Sequence, residues 1–198
     1  MTPPIILASG SAIRRAILDG AAIQYSVIKP NVDETIIKEA GERSGLPLME
    51  IAEQLADAKA LDVSVDDNAL VIGSDQILSF EGKGFDKPPT MEAARARLKL
   101  LEGKTHQLIN AVSVAENKRI VWRSLDTVEL KMRSLTNDDV EQYLDEAGAE
   151  ILSSVGAYQL EKLGSRLFES VKGDYFTVLG MSLFPLLGFL RSRNAIKY

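Results

Sequence analysis

Two long runs of strand-forming residues, "HQLINAVSVA" at 106–115 and "IVWRSLDTVELKM" at 120–132, are joined through Glu116-Asn117-Lys118 and the single residue Arg119. Parallel neighbours need a crossover of about a dozen residues or more, so these two runs must pair antiparallel. Elsewhere strand and helix patterns alternate along the chain. Strand patterns fall at 5–8, 25–29, 69–80 and 175–179, and helical spacing falls at 12–20, 47–63, 90–101, 136–146, 163–171 and 182–193. An obligatory antiparallel pair within an alternating pattern predicts an α/β fold, built on a mixed, twisted sheet flanked by helices rather than a doubly wound parallel one. No linker or repeat interrupts residues 1–198, so one domain is expected, and any second lobe must grow from roughly 80–150.

Composition narrows the chemistry. The absence of cysteine removes disulfides and thiolate metal sites, and a single histidine removes His-rich ones. A divalent metal would have to be held by oxygen, which suits Mg2+ or Mn2+. The net charge of −5 argues against a nucleic-acid polymer as partner, because such binding rests on Lys and Arg neutralising phosphates. The opening "MTPPIILAS" lacks the basic and long apolar parts of a secretory signal, so a cytoplasmic location is expected. The apolar segment 175–190 is 16 residues long and carries Gly180, Pro185 and Gly188, short of the ~20 needed to span a membrane.

Charge is placed oddly in "IILASGSAIRR", residues 5–15. Ser11 is the expected N-cap of a helix from Ala12, and Arg14 and Arg15 then occupy its first turn, where cations are disfavoured by about 0.3–1 kcal/mol each. Either a phosphorylated ligand supplies the missing anion, held by backbone N–H groups, Ser9, Ser11 and the arginine forks, or Arg15 pairs with Asp19 and Arg14 is solvated. "NVDET" at 31–35 precedes a helix, and Asp33 or Glu34 could serve only to complement its dipole. In "LVIGSDQILSF" at 70–80, Asp75 interrupts an apolar strand. A buried carboxylate demands a metal, a lysine or a turn, the last through a bulge at Gly73. In "FDKPP" at 85–89, Pro88 holds Lys87 extended, aimed at a phosphate or simply exposed in a loop. "SVGAYQLEKLG" at 154–164 places Gln159 and Glu161 either toward a ligand or on an amphipathic helix start, and His106 reads as an ordinary loop residue.

In order and spacing, "LASGSAIRR", "VDE", "AEQLADAKA", "IGSDQ", "DKP", "EGKTH", "SVGAYQLEKLG" and "GDYFTVLGMSL" resemble the Maf family of nucleoside triphosphate pyrophosphatases over nearly the whole chain. The resemblance implies one Maf-like domain with the Maf and ITPase-like fold, two lobes with a deep cleft, often found as a homodimer. It implies a metal-dependent hydrolase of house-cleaning type that splits a nucleoside triphosphate into the monophosphate and pyrophosphate. Carried onto this chain, it makes Asp75 the base and a metal ligand with Glu34. Lys59 and Lys87 become catalytic cations on the phosphate side, where Ser9, Arg14 and Arg15 bind substrate. The family's association with arrest of cell division keeps a second reading open, a nucleotide-binding regulatory module. A sugar-phosphate hydrolase would keep the charge logic alone.

Three departures from the family pattern are visible. Its Ser-Pro-Arg-Arg reads Ser11-Ala12-Ile13-Arg14 here, its Gly-Lys-Pro reads Asp86-Lys87-Pro88, and Ser154-Val155 replaces the lysine often found before Gly-Ala-Tyr. Three family positions vary with substrate. They are Arg, Thr and Gln in the branch associated with thymidine and uridine triphosphates, and Trp, Gln and Glu in the branch associated with 7-methyl-GTP. This chain has Ile13, Gln76 and Glu161, two of three matching the second branch. A carboxylate at 161 accepts from both the N1–H and N2–H of guanine and favours the cation of its 7-methyl form, so a purine of that type is expected.

Overall fold

The structure, a computed structural model, describes residues 2–65 and 67–198. Its seven strands are β1 (Ile5–Ala8), β2 (Ser26–Val27), β3 (Leu70–Phe80), β4 (Lys83–Phe85), β5 (Thr105–Glu116), β6 (Arg119–Met132) and β7 (Phe168–Lys172). They form one mixed sheet in the order β2-β1-β3-β5-β6-β7, with β4 also paired to β3. The pairs of β1 with β2 and with β3 are parallel, whereas β4 with β3 and β7 with β6 are antiparallel. A two-residue turn at Asn117-Lys118, with φ of 49° and 58°, joins β5 to β6, the geometry whose twist matches a hairpin.

Among the described residues seven α-helices accompany the sheet: α1 (Ala12–Gly20), α2 (Glu34–Arg43), α3 (Leu48–Val63), α4 (Met91–Leu101), α5 (Asn137–Ala147), α6 (Tyr175–Val178) and α7 (Leu183–Ser192). Two sequence expectations give way here. Residues 175–179 form no strand, because the Asp174 side chain accepts from the Thr177 N–H at 3.0 Å and caps a short helix between Gly173 and Gly180. Nor do residues 163–171 form an α-helix. Leu163–Leu167 is a 3-10 turn, and Phe168–Lys172 pairs as a strand with β6, which satisfies backbone groups that a helix would have satisfied internally. No helix among the described residues is long and apolar enough to cross a membrane.

Contacts divide the chain into two compact units. One comprises the chain up to Gln76 with Asn110–Asp126 and Gly180–Tyr198; the other comprises Ile77–Ile109 and Thr127–Leu179. The second unit does arise from the middle of the sequence, but it extends to Leu179 and omits the hairpin tip. In the first unit Ile6, Ala8, Ala60, Val63, Val71 and Ala115 form one apolar cluster. The second has a larger core around Leu98, Leu101, Leu130, Met132 and Tyr158.

Small residues set how closely α3 lies on β3. A Cβ at Gly73 would stand 2.3 Å from the Ala56 carbonyl oxygen and 2.7 Å from the Ala60 nitrogen. Gly73 is therefore a point of close backbone approach rather than a bulge, and it pairs in register with Ala8. That approach brings Lys59, one residue before Ala60, against Asp75.

Candidate functional site

In the first unit α1 starts as its sequence predicts. Ser11 caps it, accepting from the Arg14 N–H at 3.4 Å, and its first turn holds no acid. The Arg14 guanidinium turns inward. Its Nε donates to the Gly180 carbonyl at 2.8 Å and Nη1 to Ser9 Oγ at 3.4 Å. Burial lowers its pKa, and the nearby charges of Asp75 and Glu34 partly offset that. It is half-buried and makes no ion pair among the described residues. Arg15 is exposed, and the pair with Asp19 does not form. Asp19 accepts instead from the Tyr25 hydroxyl at 2.8 Å, which also donates to the Arg15 carbonyl at 3.2 Å.

Two adjacent acids on the second helix separate their tasks. Asp33 is the N-cap of α2, accepting from Thr35 N–H at 3.0 Å and Ile36 N–H at 3.4 Å. Glu34 is left to reach α3, where Lys59 Nζ lies 2.8 Å from its Oε1 and 2.6 Å from Asp75 Oδ1. Lys59 and Asp75 are 7% and 6% exposed, so Asp75 is a strand carboxylate paired with a buried ammonium rather than a turn residue. Its Oδ2 has no hydrogen-bond partner among the described residues. One cation thus touches two carboxylates, and a carboxylate oxygen remains to be used.

Beneath these groups lies a polar network that the sequence reading did not single out. Asn110 Nδ2 donates to the Asp75 carbonyl at 2.9 Å, and its Oδ1 accepts from Ser182 N–H and Oγ, each at 3.1 Å. Ser74 Oγ donates to the Gly180 carbonyl at 3.0 Å, the same oxygen that holds Arg14. Asn110, Ser74 and Ser182 are fully buried. An asparagine in the apolar run "LINAV" is the same kind of signal as Asp75, and it could have been found that way.

Ile13 and Gln76 also belong to the first unit, both half-buried, with Gln76 Oε1 3.7 Å from where a Cβ on Gly180 would sit. Lys87, Gln159 and Glu161 belong to the second. Lys87 is exposed just before the buried Pro88. The stretch 154–164 is a series of turns instead of a helix start. There Gln159 is engaged with the loop itself, donating to Ser153 Oγ at 3.3 Å and the Glu150 carbonyl at 3.5 Å. Lys162 pairs with Glu150, and Glu161 stays exposed with no hydrogen bond or ion pair among the described residues.

His106 is not the loop residue expected of it. It is 2% exposed, with Nε2 2.7 Å from the Tyr158 hydroxyl and a buried Nδ1 that has no partner. Its ring and that of Phe168 flank Tyr158, which anchors the turn carrying Gln159 and Glu161. Burial, with Arg97 nearby, lowers the imidazole pKa to about 4. The unfolded chain therefore binds this proton more readily than the native one does. Stability present at neutral pH is lost as pH falls from about 6.5 towards 4, by up to about 3 kcal/mol. Urea unfolding across that range should show this loss in the wild type and a flatter profile in His106→Gln; identical profiles would contradict the assignment.

The family model described as Maf-like protein matches residues 4–193, a span that includes every residue of the cluster around Lys59. The chain belongs to the Maf family. It is 43% identical to a nucleoside triphosphate pyrophosphatase of Hyphomonas neptunium, over 99% of each chain. The same identity and coverage relate it to a 7-methyl-GTP pyrophosphatase of Brucella abortus, and it is 41% identical to one of Rhizobium meliloti over 99% of each chain. Membership in the Maf family accounts for the resemblance seen in the sequence, and the mixed α/β architecture agrees with it.

Proposed function

We propose that the protein hydrolyses nucleoside triphosphates between the α and β phosphates, releasing the monophosphate and pyrophosphate. The observation that carries this is Arg14: a half-buried guanidinium without an ion pair among the described residues, fixed through Nε, near Lys59 and its two carboxylates. A polyphosphate supplies the anion that this cluster lacks. In the reaction a water oxygen bonds to the α phosphorus and passes its proton to Asp75. The bridging P–O bond breaks, and its electron pair leaves with pyrophosphate.

A divalent metal fits the donors of this chain. Lys59 takes Asp75 Oδ1 and Glu34 Oε1, which brings the two carboxylates together and leaves Asp75 Oδ2 as the oxygen on which a metal would be held. Mg2+ characteristically takes one or two carboxylates and completes its shell with water and substrate phosphates, so no larger cluster of protein ligands is needed. Bound there, it would neutralise phosphate charge and lower the pKa of the attacking water. Lys59 and Lys87 are proposed to act on the phosphate side with Ser9 and Arg15. The regulatory-module reading draws on the Lys59 to Asp75 contact, since one oxygen of the proposed base is already taken by an ammonium at 2.6 Å.

For the base, 7-methylguanine is the proposed preference. Relatives under both names are equally similar, so the argument rests on Glu161, whose carboxylate is exposed while the neighbouring Lys162 is drawn to Glu150. Pyrophosphate release from UTP, dTTP, GTP and 7-methyl-GTP, with Mg2+ or Mn2+, tests both levels. The wild type should prefer 7-methyl-GTP, and Glu161→Gln should lower that preference over UTP by roughly 10-fold or more, the worth of one bidentate contact. An unchanged ratio would remove Glu161 from base recognition. Tight nucleotide binding without pyrophosphate release would favour the regulatory module.

A further inference from the structure

We propose that Asn110 is a positioning residue that sets the Asp75 strand and the Arg14 guanidinium relative to each other; the proposal rests on the pyrophosphatase reading for its kinetic consequence. Its amide orientation is fixed by its surroundings. Ser182 N–H can only donate, so the atom 3.1 Å from it must be Oδ1, and Nδ2 must face the Asp75 carbonyl at 2.9 Å, which can only accept. The opposite orientation would place donor on donor and acceptor on acceptor in a site without exposure. Asn110 therefore has one arrangement, with both ends in use.

Two connections run from that amide. One is direct, to the backbone of Asp75. The other passes from Nδ2 to Ser74 Oγ at 3.4 Å, from Ser74 Oγ to the Gly180 carbonyl at 3.0 Å, and from that carbonyl to Arg14 Nε at 2.8 Å. Gly180 has a φ of +98°, and a Cβ there would stand 3.6 Å from Arg14 Nη2, so the carbonyl turns toward the arginine on a backbone that a side chain would strain. Ser182 Oγ and N–H hold the same loop from its other side. Base and phosphate cation are thus referred to a single buried amide, although Asn110 itself touches neither side-chain group.

Asn110→Asp keeps the shape and loses the Nδ2 donor, placing an oxygen against the Asp75 carbonyl. Pyrophosphate release well below the melting temperature should show kcat reduced roughly 30-fold with KM within about 3-fold, the penalty of a small misplacement of reacting groups. Ser74→Ala, the milder change, should lower kcat several-fold. The double variant should cost about as much as Asn110→Asp alone, because both act through one connection. A purely structural role would instead lower the melting temperature and leave kcat at that assay temperature unchanged, which would overturn the proposal. Crystal structures of the two single variants give a readout independent of turnover. The Arg14 to Gly180 hydrogen bond should lengthen beyond about 3.5 Å in either; if it survives in both, Asn110 does not position Arg14. Absence of turnover in the wild type with every triphosphate would defeat the pyrophosphatase reading, while these structures would still decide the positioning claim.

Discussion

Asp75→Asn is expected to lower pyrophosphate release by about 10^3-fold while the protein remains folded, a size typical of removing a general base that also serves a metal. The retained fold follows from the geometry around Lys59. Removing one partner of a buried ion pair is usually costly because the other charge is stranded. Here the ammonium keeps Glu34 at 2.8 Å, and the Asn side chain can still accept from Nζ in place of Asp75 Oδ1. Far-ultraviolet circular dichroism and a cooperative melt should therefore match the wild type. Raising the metal concentration should restore little, because the proposed proton acceptor itself is gone. Turnover within about 3-fold of wild type would exclude Asp75 as the base.

Arg14→Met should separate activity from stability. With the guanidinium lost, kcat/KM is expected to fall by about 10^2 to 10^3, the scale seen when one preorganised charge-stabilising group is removed. The urea midpoint, by contrast, should rise or hold. Arg14 is a half-buried cation with no ion pair among the described residues, its charged form disfavoured by burial, and a side chain of similar length without charge removes that penalty. The Gly180 carbonyl keeps the Ser74 hydroxyl as a donor at 3.0 Å, so it is not orphaned. A gain of about 0.5–1 kcal/mol in unfolding free energy alongside lost activity is the mark of a residue held for function at some expense of stability. A variant both less stable and equally active would assign Arg14 a structural role instead.

Much of the local structure was legible along the chain. The strand at Ile5–Ala8 and the helix at Ala12–Gly20 came out at the expected bounds, because a short apolar run, Ser11 and helical spacing act within a few residues of each other. The β5 to β6 hairpin followed from the short connection alone. Where sequence reasoning failed, a contact distant in the chain had overridden local preference. Phe168–Lys172 has no strong strand pattern and becomes β7 because β6 offers it backbone partners. His106 carries no sign of burial in its neighbours and is buried through Tyr158, 52 positions away.

The candidate site divides the same way. Sequence by itself determined which residues are out of place: two arginines in a helix start without an acid, a carboxylate in an apolar strand, and a family order of motifs that names the reaction class. Charge and hydropathy are properties of single residues, so their misplacement can be seen without coordinates. Only the tertiary structure decided which of those residues answer one another. Lys59 is shared by Glu34 and Asp75, Arg14 is held by a glycine carbonyl 166 positions away, and Asn110 ties that carbonyl to the strand of Asp75. These pairings depend on how closely α3 can lie on β3 at Gly73, and on where the chain returns at Gly180. Hydrogen bonds act over about 3 Å in space with no regard for separation along the chain, so packing had to choose the partners.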